Sequence, residues 1–320
     1  MFGSLLLCVM TTTAQAESSK PAAPNLKSWL SPELTEHLLV GLVWSEQSQK
    51  FITPRTLALE LQEFPLVLLG ERHDNADHHR LQAWVIDQLT SFGPRVVGFE
   101  MLSENVANTL KPFNNAEDFA ESVDWAKSGW PEFSIYAPVF EAAIKAKSQL
   151  LAIHPSRERL MKLMRSPETD SSEKKKGLGT LSDEGLKTLQ ATIKESHCGH
   201  ANEKMVSAMV KAQRFKDHWM SQQMLEQSKG RPGILVAGNG HVRKDYGLPN
   251  HLSGSFKSVG FVEVSPKAKQ AADYEVSHYD YVWFTPRWDS VDPCIKYKDQ
   301  LEKIKAHYKK KRSQKKSSKP

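Results

Sequence analysis

No apolar run in this 320-residue chain is long enough to cross a bilayer, and cysteine is scarce, with only three residues. There is no internal repeat. There is no dinucleotide fingerprint either: Gly238-Asn239-Gly240 lacks the third glycine and the following helical pattern. Gly70-Glu71-Arg72-His73 does not have the form of a phosphate loop. No Lys or Arg occurs in the first sixteen residues. The net charge is +6, but Lys298 to Pro320 holds ten basic residues against two acids, which leaves about −2 for the remainder. The body is therefore near neutral, and no nucleic-acid partner is expected of it.

What is there begins with export. The short apolar run Leu5 to Met10 precedes Ala14-Gln15-Ala16, a small-x-small cleavage pattern, so residues 1–16 read as a secretory signal. Lipoprotein processing at Cys8 wants a small residue before the cysteine, and Leu7 is not small. Cleavage leaves Cys198 and Cys294. An even pair in an exported chain reads as a disulfide; the other readings are free structural thiols, or Cys198 as a ligand beside His197 and His200. Residues 17–39 read as a linker, 40–296 as the folded domain, and 297–320 as a basic tail too charged to pack. In an exported chain such a tail suits anionic lipid or another cell-envelope surface.

Strand-like runs recur at Leu66–Leu69, Arg95–Phe99, Leu150–Ile153, Ile234–Ala237, Lys257–Val264 and Tyr281–Phe284. The first four are short, apolar and bounded by turn residues, as strands buried on both faces tend to be. Helical spacing lies between them, at His78–Leu89, Val139–Lys147 and Asn202–Gln227. This alternation predicts an α/β fold with a mostly parallel central sheet flanked by helices. Residues 156–230 lack strand runs and read as a helical cap inserted over the sheet.

The chemistry-bearing residues follow the strands. The first delivers Glu71 and His73, with Asp74, His78 and His79 close behind. The second delivers Glu100, the third His154, and the fourth His241 with Tyr246 beyond it. In open α/β sheets, ligands bind in the crevice beyond the carboxyl ends of the strands, so these groups are expected to share one site. Two chemistries suit them. Glu71, His73, Glu100 and His241 can hold a divalent metal such as zinc or manganese, with Glu71 and His73 as catalytic groups of a hydrolase. Alternatively, His or Tyr can ligate haem iron in an apolar pocket, with Trp125, Trp130, Phe133, Tyr136 and Trp219 available as walls.

The series "LLGERHDNADHHRLQ", "VVGFEML", "GWPEFSIYAPVFEAA", "AQRFKDHWM" and "VAGNGHVRKDYGLP" resembles the ChaN-type haem-binding uptake family of the Tiki superfamily. The resemblance spans about residues 40–290 and leaves the basic tail outside it. It implies a protein of the periplasm or outer membrane that binds haem for iron uptake or storage, as a homodimer enclosing haem between subunits. It also implies Tyr and His as iron partners, and hence Tyr136, Tyr246, His241, His73 and His78 as candidates. Tyr136 is preferred among the tyrosines for its aromatic neighbours, and the resemblance suggests a tyrosinate rather than a histidine pair as the group that holds the iron. The wider superfamily includes metal-dependent proteases and erythromycin-esterase-like hydrolases, so the resemblance leaves catalysis open beside ligand binding.

Overall fold

The computed structural model describes residues 28–165, 181–291 and 293–296. The expected signal (1–16) and basic tail (297–320) lie outside the described residues, as does part of the expected cap.

Eight strands form one sheet in the order β2-β1-β8-β7-β3-β6-β4-β5. They are β1 (Val43–Ser45), β2 (Lys50–Ile52), β3 (Leu66–Leu69), β4 (Val96–Ser103), β5 (Leu150–His154), β6 (Gly233–Val236), β7 (Phe256–Glu263) and β8 (Tyr281–Thr285). From β8 to β5 every neighbouring pair is parallel; β1 pairs antiparallel with both β8 and β2. The fold is thus α/β with a mostly parallel sheet. The sequence reading did not anticipate β1 and β2, which are three residues each and too short to show a period.

Strand alternation sorts the core onto two faces. Val67, Leu69, Val97, Phe99, Ile234 and Val236 join one cluster. It is covered by Leu57 and Leu61 of α1 (Pro54–Leu61), by Val85, Ile86 and Leu89 of α2 (Ala76–Ser91), by Phe119 of α3 (Ala116–Ser122) and by Val139 and Phe140 of α4 (Phe133–Lys145). Leu68, Val96, Leu235 and Ala237 face the other way, onto Met220 and Met224 of the long helix α7 (Glu203–Ser228). Central strands buried on both faces explain the unbroken apolar runs.

Helices α5 (Arg157–Arg165), α6 (Asp183–Ser196) and α7 occupy the described part of the expected cap. Leu189 and Ile193 of α6 pack on Val206 and Val210 of α7 and on Tyr246. Among the described residues, no helix is long and apolar enough to cross a membrane. Helix α4 begins six residues before the expected start. Pro138 lacks an N–H and so reads as a helix start, yet it is accommodated inside the helix. The segment expected as a linker is in part packed down: Ser31 and Leu39 are buried, and the amides of Leu30 and Ser31 donate to Asp77.

Cys198 and Cys294 form a disulfide, joining the turn between α6 and α7 to the last described helix. The alternative of Cys198 as a ligand beside His197 and His200 is set aside, since its sulfur is in the bond. Closing a loop of this length stabilises the fold by roughly 4–5 kcal/mol in the chain-entropy picture.

Candidate functional site

Strands β3, β6 and β4 lie side by side, and their carboxyl ends carry the site. Beyond β3 the chain turns through Gly70 to Glu71. A Cβ on Gly70 would lie 2.1 Å from Asn239 Oδ1, so only glycine lets the chain after β3 lie this close to the chain after β6. Asn75 then caps α2, accepting from the amides of Asp77 and His78, and so aims the first turn of the helix back at the strand end.

Glu71 is the hub. Its Oε1 meets His73 Nδ1 at 2.6 Å and accepts from the Tyr136 hydroxyl at 3.0 Å; its Oε2 pairs with His79 Nε2. The His79 and Tyr136 rings lie 4.0 Å apart. Burial alone would raise the Glu71 pKa. The charge of His79 and the hydrogen bonds from His73 and His79 overcome that and bring it down to about 2. Burial opposes protonation of His73, and the Glu71 hydrogen bond with the charges of Glu100 and Glu71 outweighs it, so His73 titrates above the usual imidazole range.

The second half is centred on His241, just past β6. Its Nε2 lies 3.1 Å from Glu100 Oε1 and its Nδ1 2.5 Å from Asp217 Oδ1, with Gln213 Nε2 3.0 Å from the same Nδ1. Burial would depress the His241 pKa, and the two carboxylates push it up to about 10. Burial favours the neutral form of Glu100, but the charge and hydrogen bond of His241 hold it well below the carboxylate range. Burial raises Asp217 to about 6 despite His241. His154, at the end of β5, is lowered to about 4, chiefly by burial.

Gly238 joins the halves. Its amide donates to Glu100 Oε2 at 2.8 Å, and a Cβ there would lie 3.1 Å from both Cε1 and Nε2 of His73. The missing side chain lets the His73 ring lie against the end of β6. On its other side the ring meets Trp130 edge-on at 4.9 Å.

The structure thus brings Glu71, His73, Tyr136, Glu100 and His241 into one crevice. Glu100 lies inside β4 and not just past its end, where the register against β5 shifts. His78 turns away: it accepts from the Arg72 amide and contacts Thr285, and burial lowers its pKa to about 3. Tyr246 lies in the cap cluster, with the Arg243 guanidinium 4.6 Å above its ring. Of the expected aromatic walls, Trp130 borders His73. Trp125 and Phe133 pack around Tyr136 and Phe140, and Trp219 stacks under Arg159.

The five candidate iron partners differ sharply in exposure. Tyr136, His78, Tyr246 and His241 are buried, whereas His73 is partly exposed; of the two strand-end histidines the His241 side chain is 7% exposed and that of His73 40%. The Tyr136 hydroxyl donates a hydrogen bond to Glu71, and burial beside that carboxylate raises its pKa, which favours the neutral phenol.

Among the described residues, no group of three His, Cys, Asp or Glu side chains is arranged to hold a metal ion. Here His73 faces Glu71, and His241 faces Glu100 and Asp217, as hydrogen-bond partners. Reading Glu71, His73, Glu100 and His241 as a metal site is therefore unsupported. The carboxylates of Glu100 and Asp217 on either side of His241 favour its protonated form, which weakens it as a general base. The sequence reading missed Asp217 and Gln213. They stand on the α7 stripe that otherwise carries Val206, Val210, Met220 and Met224, and two polar residues on an apolar stripe are the signal that marks them.

The family described as "Haem-binding uptake, Tiki superfamily, ChaN" matches residues 57–252. Among solved structures, "Cofacial heme binding to ChaN of Campylobacter jejuni" is similar in fold, with a TM-score of 0.63 and 23% identity over 75% of this chain and 95% of that one. The type III effector HopBA1 gives a TM-score of 0.43 and 13% identity over 73% and 93%. The MARTX toxin effector domain RRSP from Vibrio vulnificus gives 0.40 and 12% over 78% and 42%. No curated protein matches.

Proposed function

The chain belongs to the ChaN family of haem-binding uptake proteins, in the Tiki superfamily, and from that premise we propose that it is an exported haem-binding protein acting in haem or iron uptake or storage. The observation that carries the reading at residue level is the exposure of His73. Of the five candidate partners it alone offers its ring to a ligand. Its Nδ1 is engaged by Glu71, which leaves Nε2 for iron. A carboxylate behind a ligating imidazole fixes the ring and makes the nitrogen more basic. Anionic character at the ligand favours the ferric over the ferrous state that haem iron brings. Tyr136 and His79 hold Glu71 in place from behind. Gly238 and Trp130 border the ring on two sides.

Export is supported by the N-terminal sequence and by the Cys198–Cys294 pair, since disulfides persist in oxidising compartments. Periplasmic or outer-membrane association and the tail's attraction to anionic envelope surfaces belong to the same proposal. A single exposed ligand also leaves the far face of the haem for a second subunit or a second haem, in line with the cofacial haem binding described for the Campylobacter jejuni protein.

The test is an absorption titration of the purified protein with hemin. The expected result is a shifted Soret band that saturates at a fixed stoichiometry. An unshifted, non-saturating spectrum would overturn the reading. The hydrolase alternative has its own measure: a Glu71→Gln-sensitive turnover of any peptide or ester substrate would favour it.

A further inference from the structure

We propose that a groove at the β5 edge of the sheet binds a single-chain anionic amphiphile, one phosphate or carboxylate on an apolar body, and that this site is separate from the strand-end cluster. The groove encloses about 710 Å³, within the ordinary size of a small-molecule site. It lies between the segment after β4, the end of α4, the start of β5 and the residues after α7. It is therefore at the opposite end of β5 from His154 and the cluster.

Three features set its chemistry. First, Leu110, Phe113 and Ile144 form apolar walls packed on the main core yet still partly open. Second, Lys111, Lys147 and Arg231 line the groove, and no Asp or Glu does. Among the described residues Arg231 is oriented by neutral partners: its Nη2 donates to Gln149 Oε1 at 2.6 Å and its Nε to Ser228 O at 3.0 Å. A fixed guanidinium with no carboxylate partner keeps its charge for an incoming anion. Third, Ser148 contributes to the lining, and among the described residues its buried Oγ has no hydrogen-bond partner.

Scattered surface lysines are ordinarily just solvated. Here all three cations border one concavity whose walls are apolar. An inorganic anion would leave the walls wet, and a hydrocarbon would leave the cations unused. An amphiphile satisfies both. No His, Tyr, Cys or Met lines the groove, so it offers haem iron no ligand.

The experiment is isothermal titration of the full chain with dodecyl phosphate below its micelle concentration, beside dodecanoate, dodecyl maltoside and dodecyltrimethylammonium. The expected result is saturable one-to-one binding of the phosphate or the carboxylate, the stronger naming the source of the head group, and weaker binding of the neutral and cationic probes. The double change Lys147→Glu with Arg231→Glu should weaken binding by at least about 10-fold while the hemin spectrum is unchanged. Ile144→Trp, which fills the groove without touching charge, should also weaken it. His73→Ala should leave it intact, so a failure of the haem reading does not touch this one. Equal binding of dodecyltrimethylammonium, or full affinity in the double variant, would overturn the proposal. So would binding of the chain to phosphatidylglycerol vesicles through these residues with no binding of either monomeric anion.

Discussion

Replacing His73 with alanine should cost hemin affinity more than any other single change in the crevice. Removing an outer partner of a metal ligand ordinarily costs about 10–100-fold, and that is the effect expected of Glu71→Gln. That change keeps the shape at the hub but removes the charge that His73 Nδ1 and His79 Nε2 face. His73→Ala removes the ligand itself, so its loss should exceed the Glu71→Gln loss, measured as hemin dissociation constants by absorption. Tyr136→Phe separates the two iron chemistries considered for this chain. With His73 as ligand it removes one hydrogen bond to Glu71 and leaves the ferric spectrum in place. If Tyr136→Phe abolished a tyrosinate charge-transfer band while His73→Ala kept it, the phenol would have to swing out of its buried site on binding, and the histidine assignment would fall.

His241→Ala should be the most destabilising single change in the cluster. Breaking a buried ion pair by deleting one partner costs roughly 3–5 kcal/mol, because the remaining charge is left buried. Here two carboxylates, Glu100 and Asp217, would be left facing a cavity. Urea unfolding of the two proteins measures the difference, and a loss below about 1 kcal/mol would contradict this account. The same triad sets the pH profile. The folded His241 pKa, about 10, lies above the ordinary imidazole value of 6.5. Its contribution is therefore complete below pH 6.5 and is lost as pH rises from there through about 10. Glu71, lowered from 4.5 to about 2, contributes fully above pH 4.5 and loses that contribution as pH falls through about 2. Asp217, raised to about 6, works in the opposite sense on the acid side. The alkaline limb is thus the cleaner readout, and it should shrink in His241→Ala to the part that His73, also raised, contributes.

Much of the crevice was legible in the sequence because a buried parallel strand announces itself. "LVLL" and "GILV" can only be interior, and the first polar residues after each must stand at the strand end. That placed Glu71, His73 and His241 before any coordinates, and Glu100 within a register shift of its true position. The fate of Tyr136 was also written in its spacing. Tyr136, Val139, Phe140 and Ala143 form one stripe of α4, so the ring had to face the core with them. Other features have no local signature. Of two adjacent buried histidines, His79 finds Glu71 whereas His78 meets Thr285, a contact across 207 positions. Asp217 reaches His241 only because α7 lies across the sheet face, a tertiary fact no window of sequence contains.

The most direct measurement is the position of iron in crystals of the hemin-loaded protein, read from anomalous scattering at the iron edge. The account predicts an iron peak within bonding distance of His73 Nε2, at the mouth of the crevice beside Gly238 and Trp130. An iron peak bonded to Tyr246 in the cap cluster, or to Tyr136 with His73 still closed onto Glu71, would contradict it.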